Sequence, residues 1–210
     1  MEIRFTERAD VGAKNTWERM LSEPFLREIV QGIKPEIFDR WAQQDYLFAR
    51  ESIRFLGVLM AKAPYPIQIA LLDAAPGYKE ELKLFEDYAR SRGFPLDVKM
   101  SITCRSYLSF LMKTAYNDDF PSAFTALYAE EKAYLDSWRF VKNNLKESPY
   151  EKFIDHWSNT GFQDYVKWLA KELDSIADQL SEEQKAHMES TYKSIGEYEC
   201  LFWEMPYRIE

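Results

Sequence analysis

Residues 35–62 read PEIFDRWAQQDYLFARESIRFLGVLMAK. Within this stretch Phe38, Trp41, Asp45 and Phe48 follow one another at spacings of three or four, which places them on one side of a helix. Pro35 suits the first helical turn, where its missing N–H costs no hydrogen bond, and Pro24 is placed the same way before another apolar series. Two further helix starts are written chemically. Ser148-Pro149-Tyr150-Glu151 combines a capping serine, a proline at the first position and a capping-box glutamate, and Ser181 to Gln184 offers a second capping box. Working outward, the spacing predicts helices over 10–21, 24–33, 35–62, 66–91 (interrupted at Pro76-Gly77), 101–116, 121–143, 149–158, 161–179 and 182–204. No stretch alternates strictly enough for a strand, and Gly93 to Lys99, the longest expected loop, is too short to separate domains. The expected fold class is all-α, a single-domain helical bundle over residues 1–210.

Hydrophobic residues make up 46% of the chain and aromatics 16%, ample for a packed core and too much for disorder. The net charge is −8, and no Lys/Arg cluster interleaved with aromatics stands against it, so nucleic acid is not an expected partner. Apolar runs such as Phe55 to Ala61 are too short to span a bilayer, and Met1 to Asp10 carries charges rather than a targeting core. Cys104 and Cys200 make no disulfide framework. The expected setting is the cytoplasm, away from membranes.

Several common chemistries lack their residues. There is no GxGxxG, GxxxxGK[ST] or GxSxG, and neither cysteine belongs to a CxxC pair. The two histidines, His156 and His187, have no Glu three residues before them, against a di-iron bundle, and no histidine precedes residue 156 to serve a haem. Glu183 and His187 lie four apart and read as a solvated helix pair rather than a metal clip. No metal or cofactor is expected.

What stands out is acids on faces that should be apolar. Asp45 sits among Phe38, Trp41 and Phe48. Glu131 interrupts Phe124, Leu127, Tyr128, Tyr134, Leu135 and Trp138, and Glu199 interrupts Met188, Tyr192, Ile195 and Phe202. Tyr107 adds a phenol to a fourth stripe with Cys104 and Leu111. A carboxylate is expensive to bury unless it is paired, hydrogen-bonded or neutralised by a raised pKa. Each acid is followed three residues later by an aromatic, and bundles turn such stripes inward, so the acids are expected to converge on one enclosed cavity sized for a small heterocycle. Carboxylates, phenols and ring walls together suit a flat, nitrogen-rich ligand.

At these residues the chain resembles the TenA/thiaminase II family, whose fold is the haem-oxygenase-like helical bundle. The likeness runs through Gln44-Asp45-Tyr46-Leu47-Phe48, Tyr107, Ala126 to Tyr134, and Glu199-Cys200-Leu201-Phe202-Trp203-Glu204-Met205. The branch with a catalytic cysteine carries it four residues before the tyrosine that Tyr134 matches, and here that position holds Glu130. The chain instead resembles the branch with a glutamate in place of the cysteine. Its A-x-E-x-x-Y pattern fits Ala129 to Tyr134 and selects Glu131, while Trp157 to Tyr165 fits its W-x-N-x-G-F-x-x-Y. Phe48 stands where tyrosine is frequent, and Gly161 where another active-site tyrosine is expected.

The resemblance implies hydrolytic salvage of degraded thiamin. The substrate would be 4-amino-5-aminomethyl-2-methylpyrimidine or its N-formyl derivative, the product the aminomethyl or hydroxymethyl pyrimidine, and the protein a homo-oligomer, dimer or tetramer. Asp45 is then expected to recognise the 4-amino group and adjacent ring nitrogen, a charge-assisted bidentate pairing. Glu131 is the expected acid/base. Glu130, about 100° away around the helix, competes for that role, and one of the two should face the cavity. Glu199 would share a proton with Glu131 or position water, Tyr107 and Tyr134 would orient the acids, and Phe48 and Phe202 would wall the pyrimidine. Trp203, Cys104 and Cys200 are expected in the core. The competing readings are a non-catalytic metabolite-binding or scaffold protein on the same bundle, and an oxidative enzyme related to pyrroloquinoline-quinone synthase.

Overall fold

The computed structural model describes residues 3–208; the first and last two residues of the expected domain lie outside them. The helices are α1 (Phe5–Gly12), α2 (Lys14–Leu21), α3 (Pro24–Gln31), α4 (Pro35–Lys62), α5 (Tyr65–Ala74), α6 (Pro76–Arg92), α7 (Ile102–Asn117), α8 (Phe120–Asn144), α9 (Glu151–His156), α10 (Thr160–Ala177) and α11 (Glu182–Glu204), closed by a 3-10 turn at Met205–Tyr207. Among the described residues there are no strands, and no helix is long and apolar enough to cross a membrane.

Local chemistry sets the boundaries. Pro24 and Pro35 occupy first turns as expected. The side chains of Ser101, Asp119, Asn159 and Ser181 accept from backbone N–H groups at the starts of α7, α8, α10 and α11, and Ser181–Gln184 closes a full capping box. Gly32 (φ 111°) and Gly93 (φ 75°) end α3 and α6 in the left-handed conformation that other residues resist.

The structure corrects three expectations. The helix expected over 10–21 is two helices that turn at Ala13. The first begins at Phe5, because the Thr6 N–H donates to Asp174 Oδ1 on α10 (2.8 Å) and Phe5 and Ala9 are buried. The capping box at Ser148–Glu151 does not form. The Ser148 hydroxyl instead accepts from Tyr150 N (3.1 Å), leaving Pro149 in a turn before α9. His187 faces Asp118 Oδ2 (3.6 Å) rather than Glu183.

The core is one continuous cluster. α8 runs through its middle against α10 and α11, while α4 packs on α6 and α7. Ala123, Ala126, Ala129 and Ala133 give α8 a fully buried small-residue seam that lets neighbouring helices approach. Trp41, Trp138 and Trp203 are fully buried and fill the bundle's centre with Phe38 and Phe85. Cys104, Cys200 and Trp203 are buried, as expected. Over this aromatic floor the helices present their carboxylates.

Candidate functional site

α4, α6 and α8, with Trp157 just after α9, close around a small inner chamber. Asp45, Phe48, Ala49 and Ser52 line it from α4, Tyr78 and Glu81 from α6, and Glu130, Glu131 and Tyr134 from α8. Its volume is about 20 Å³, room for about one water. That corrects the expected size, because a heterocycle does not fit there unless a wall moves. Beside it lies a larger cavity of about 300 Å³ on the α5, α6 and α10 side. Tyr78, Glu81 and Glu131 line both, so they form the partition.

Two phenol–carboxylate pairs are built alike. Tyr134 Oη donates to Asp45 Oδ1 at 2.7 Å, and Tyr107 Oη donates to Glu199 Oε1 at 2.7 Å. In each pair the second oxygen, Asp45 Oδ2 or Glu199 Oε2, is buried with no protein partner. Asp45 is on the inner chamber. Glu199, Tyr107 and Phe202 stand behind it instead: Phe48 packs on Tyr107 (4.8 Å between centroids) and on Phe202 (5.2 Å), with Glu199 fully buried beyond. The expectation that only one of Glu130 and Glu131 faces the cavity is also corrected. Both line the inner chamber, and Glu131 alone reaches the outer one.

The electrostatics follow from this crowding. Burial pushes Glu131 up to about 8; Glu81 adds to the rise and a weak hydrogen bond from Tyr78 (3.5 Å) opposes it. Glu199 is pushed up to about 8 by burial, against the hydrogen bond from Tyr107. Asp45 is raised well above the usual carboxylate range by burial, then by Glu81 and Glu199, with Tyr134 pulling the other way. Glu130 is raised by burial and then by Glu131, Glu199, Glu81 and Asp45. Carboxyl groups from α4, α8 and α11 thus share one electrostatic environment, and Glu130 and Glu131 titrate as a coupled pair. At neutral pH Glu131 and Glu199 rest mostly protonated. Such a site can supply a proton to a basic ligand and take it back.

Two participants have no place among the expected site residues. Tyr78, Glu81 and Phe85 occupy one face of α6, another acid in an aromatic stripe, but Leu84 rather than an aromatic stands three residues beyond Glu81. That difference hid it. Trp157 to Tyr165 divides its labour: Trp157 lines the inner chamber, and Asn159, Gly161, Phe162 and Tyr165 line the outer cavity. Asn159 is also the joint between two helices, accepting from Phe162 N at the start of α10 and donating to the Asp155 and His156 carbonyls of α9. His156 Nε2 lies 3.9 Å from Glu81 Oε2. Among the described residues no group of three or more His, Cys, Asp or Glu is arranged to hold a metal ion.

Residues 12–209 match the TENA/THI-4/PQQC family. The chain is similar to an aminopyrimidine aminohydrolase of Bacillus subtilis, 26% identical over 99% of this chain and 92% of that protein. Among solved structures it is similar to a TenA homologue from Pyrococcus furiosus, with a TM-score of 0.94 and 37% identity over 97% of this chain and 100% of the other. A domain from Shewanella denitrificans described as having a haem-oxygenase-like fold superposes with a TM-score of 0.76 at 11% identity, covering 99% of this chain and 93% of that one. That likeness concerns the fold alone.

Proposed function

The chain belongs to the TENA/THI-4/PQQC family, and on that footing we propose that it is an aminopyrimidine hydrolase that cleaves a C–N bond by carboxyl acid/base chemistry. Its substrate is 4-amino-5-aminomethyl-2-methylpyrimidine or the N-formyl derivative. One observation carries the reading: Asp45, its Oδ1 held by Tyr134 and its Oδ2 buried without a partner, opens onto a chamber shared with Glu130 and Glu131.

Asp45 takes the amidine edge of the pyrimidine. Its free oxygen meets the ring nitrogen and its other oxygen retains a lone pair for the 4-amino group. Because its pKa is raised, Asp45 brings a proton to that contact. The proton, lying between oxygen and ring nitrogen, makes the ring a better electron sink. Phe48 packs on the ring face. Glu131, on the partition and near 8, gives its proton to the departing nitrogen. Water oxygen becomes bonded to the exocyclic methylene carbon, and the C–N electron pair leaves on nitrogen. Glu131, now a carboxylate, takes the proton that water sheds, so aminomethylpyrimidine and water yield hydroxymethylpyrimidine and ammonia. Glu199, hydrogen-bonded to Tyr107 behind Phe48, acts as a positioning residue. Seating the ring requires Tyr78 to swing out of the partition, which joins the two cavities into a space at the lower end of small-molecule pockets.

The chain acts as one domain and assembles as a dimer or tetramer, with the exposed apolar residues Tyr65, Ile69 and Leu72 of α5 available for contact. Light scattering in solution reads that state. The function is tested by incubating purified protein with the aminomethylpyrimidine, its formyl derivative and intact thiamin, and following products by chromatography. The pyrimidines should be consumed and thiamin spared. Tight binding of the pyrimidines without product would replace the hydrolase by a binding protein.

A further inference from the structure

The outer cavity has a composition of its own. Glu80, Glu81 and Glu131 line it together with His156, and no Lys or Arg among the described residues does. Phe162 and Tyr165 give it ring walls, and the Tyr165 hydroxyl is buried there with no protein partner. Gly161 leaves that wall bare, since nothing but the Asn159 side chain comes within 4 Å of where a Cβ would stand. The cavity meets the inner chamber at Glu131, the residue placed at the departing nitrogen. A group carried on that nitrogen therefore has one roomy direction in which to extend.

We propose that the outer cavity is a binding subsite for the substituent on the exocyclic nitrogen, and that it accepts uncharged or ammonium-bearing acyl groups and rejects anionic ones. The inference rests on the hydrolase reading and deepens it. The Tyr165 hydroxyl donates to the acyl carbonyl, filling its unmet hydrogen-bonding capacity. The rim carboxylate of Glu80 attracts an ammonium group, and the same acidic lining repels a carboxylate or phosphate. The phenol and the bare glycine wall set how long a substituent can be. The subsite enlarges the substrate class from the simple amine and formamide to N-acylated and N-aminoacylated aminomethylpyrimidines.

The test compares four compounds on the full chain: the parent amine and its N-acetyl, N-glycyl and N-succinyl derivatives. Turnover is measured as kcat/KM and binding by calorimetry. N-glycyl and N-acetyl compounds should be handled within several-fold of the parent, and the N-succinyl compound at least about tenfold worse. Glu80→Lys should narrow or reverse the glycyl-over-succinyl preference. Gly161→Phe fills the cavity from α10, and Ala74→Trp fills it from α5 without touching the Asn159 cap. Either should lower the ratio of acylated to parent turnover by about tenfold. Equal handling of glycyl and succinyl compounds, or an equal fall for parent and acylated compounds in both filled variants, overturns the subsite. If the parent binds but is not turned over, the hydrolase reading fails while the order of binding still decides the subsite. If no compound binds, both fall.

Discussion

Tyr134 on α8 donates its phenol proton to Asp45 Oδ1 on α4 at 2.7 Å, across 89 residues of chain, while Asp45 Oδ2 stays buried and unmatched. The pair fixes which face of the carboxyl is spent on the protein and which is left for a ligand. Tyr134→Phe should strip Asp45 of its phenol donor and raise its proton affinity further, since the hydrogen bond from that phenol is what opposes the rise. We expect a loss of about 1–3 kcal/mol in stability by denaturant titration, with kcat/KM down at least about tenfold. Asp45→Ala should raise KM strongly. Asp45→Asn, which can still pair with a neutral aminopyrimidine edge but brings no proton, should lower kcat more than it raises KM.

Glu131→Gln should reduce kcat by about 10²–10⁴, the usual range for a lost acid/base group. In the wild type the departing nitrogen needs a protonated acid, so kcat/KM should hold below and fall above about pH 8, where Glu131 ionises. Glu130→Gln should shift that limb without abolishing turnover, because it removes the neighbouring acid of the coupled pair. A dead Glu130→Gln and an active Glu131→Gln would exchange their roles.

Stability should fall as pH rises from about 5 to about 8. Glu199 and Glu131, held near 8 in the fold, ionise near the ordinary glutamate value once unfolded. Their contribution is therefore complete below that value and is lost as pH climbs through the folded one. Thermal melts of Glu199→Gln across this range should show a flatter decline than the wild type. An identical slope would mean that Glu199 keeps its proton no more tightly than an exposed acid.

Gly196 on α11 faces the Trp17 ring so closely that a Cβ there would stand 2.6 Å from it and 3.0 Å from the Thr16 methyl. Gly196→Ala must push α2 away from α11 or turn Trp17 off its stack with Tyr192 (4.6 Å, 3°). A loss of about 1–3 kcal/mol is expected, read as a lower Tm.

The long helices were legible because spacing and caps agree in them: 35–62 and 182–204 begin and end where proline, serine and apolar period place them. α1 was not, because its start depends on Asp174, a partner 168 positions along the chain. Ser148-Pro149-Tyr150-Glu151 has the letters of a cap, but Tyr150 stacks on Phe38 (3.6 Å between centroids) and the helix begins after it. In the site, acids in aromatic stripes pointed to Asp45, Glu131 and Glu199. Depth could not be read the same way, since periodicity gives a side and not a distance. That is why Glu199 lies behind Phe48, and why Glu130, 100° around an ideal helix, still reaches the chamber.

Trp157 forms part of the inner chamber's wall and stacks on Trp138 (5.3 Å, 18°), which in turn meets Trp41 and Trp203. Whatever enters that chamber touches the edge of a coupled indole array. Occupancy should therefore be visible in the native emission spectrum, with no label attached and no reaction required.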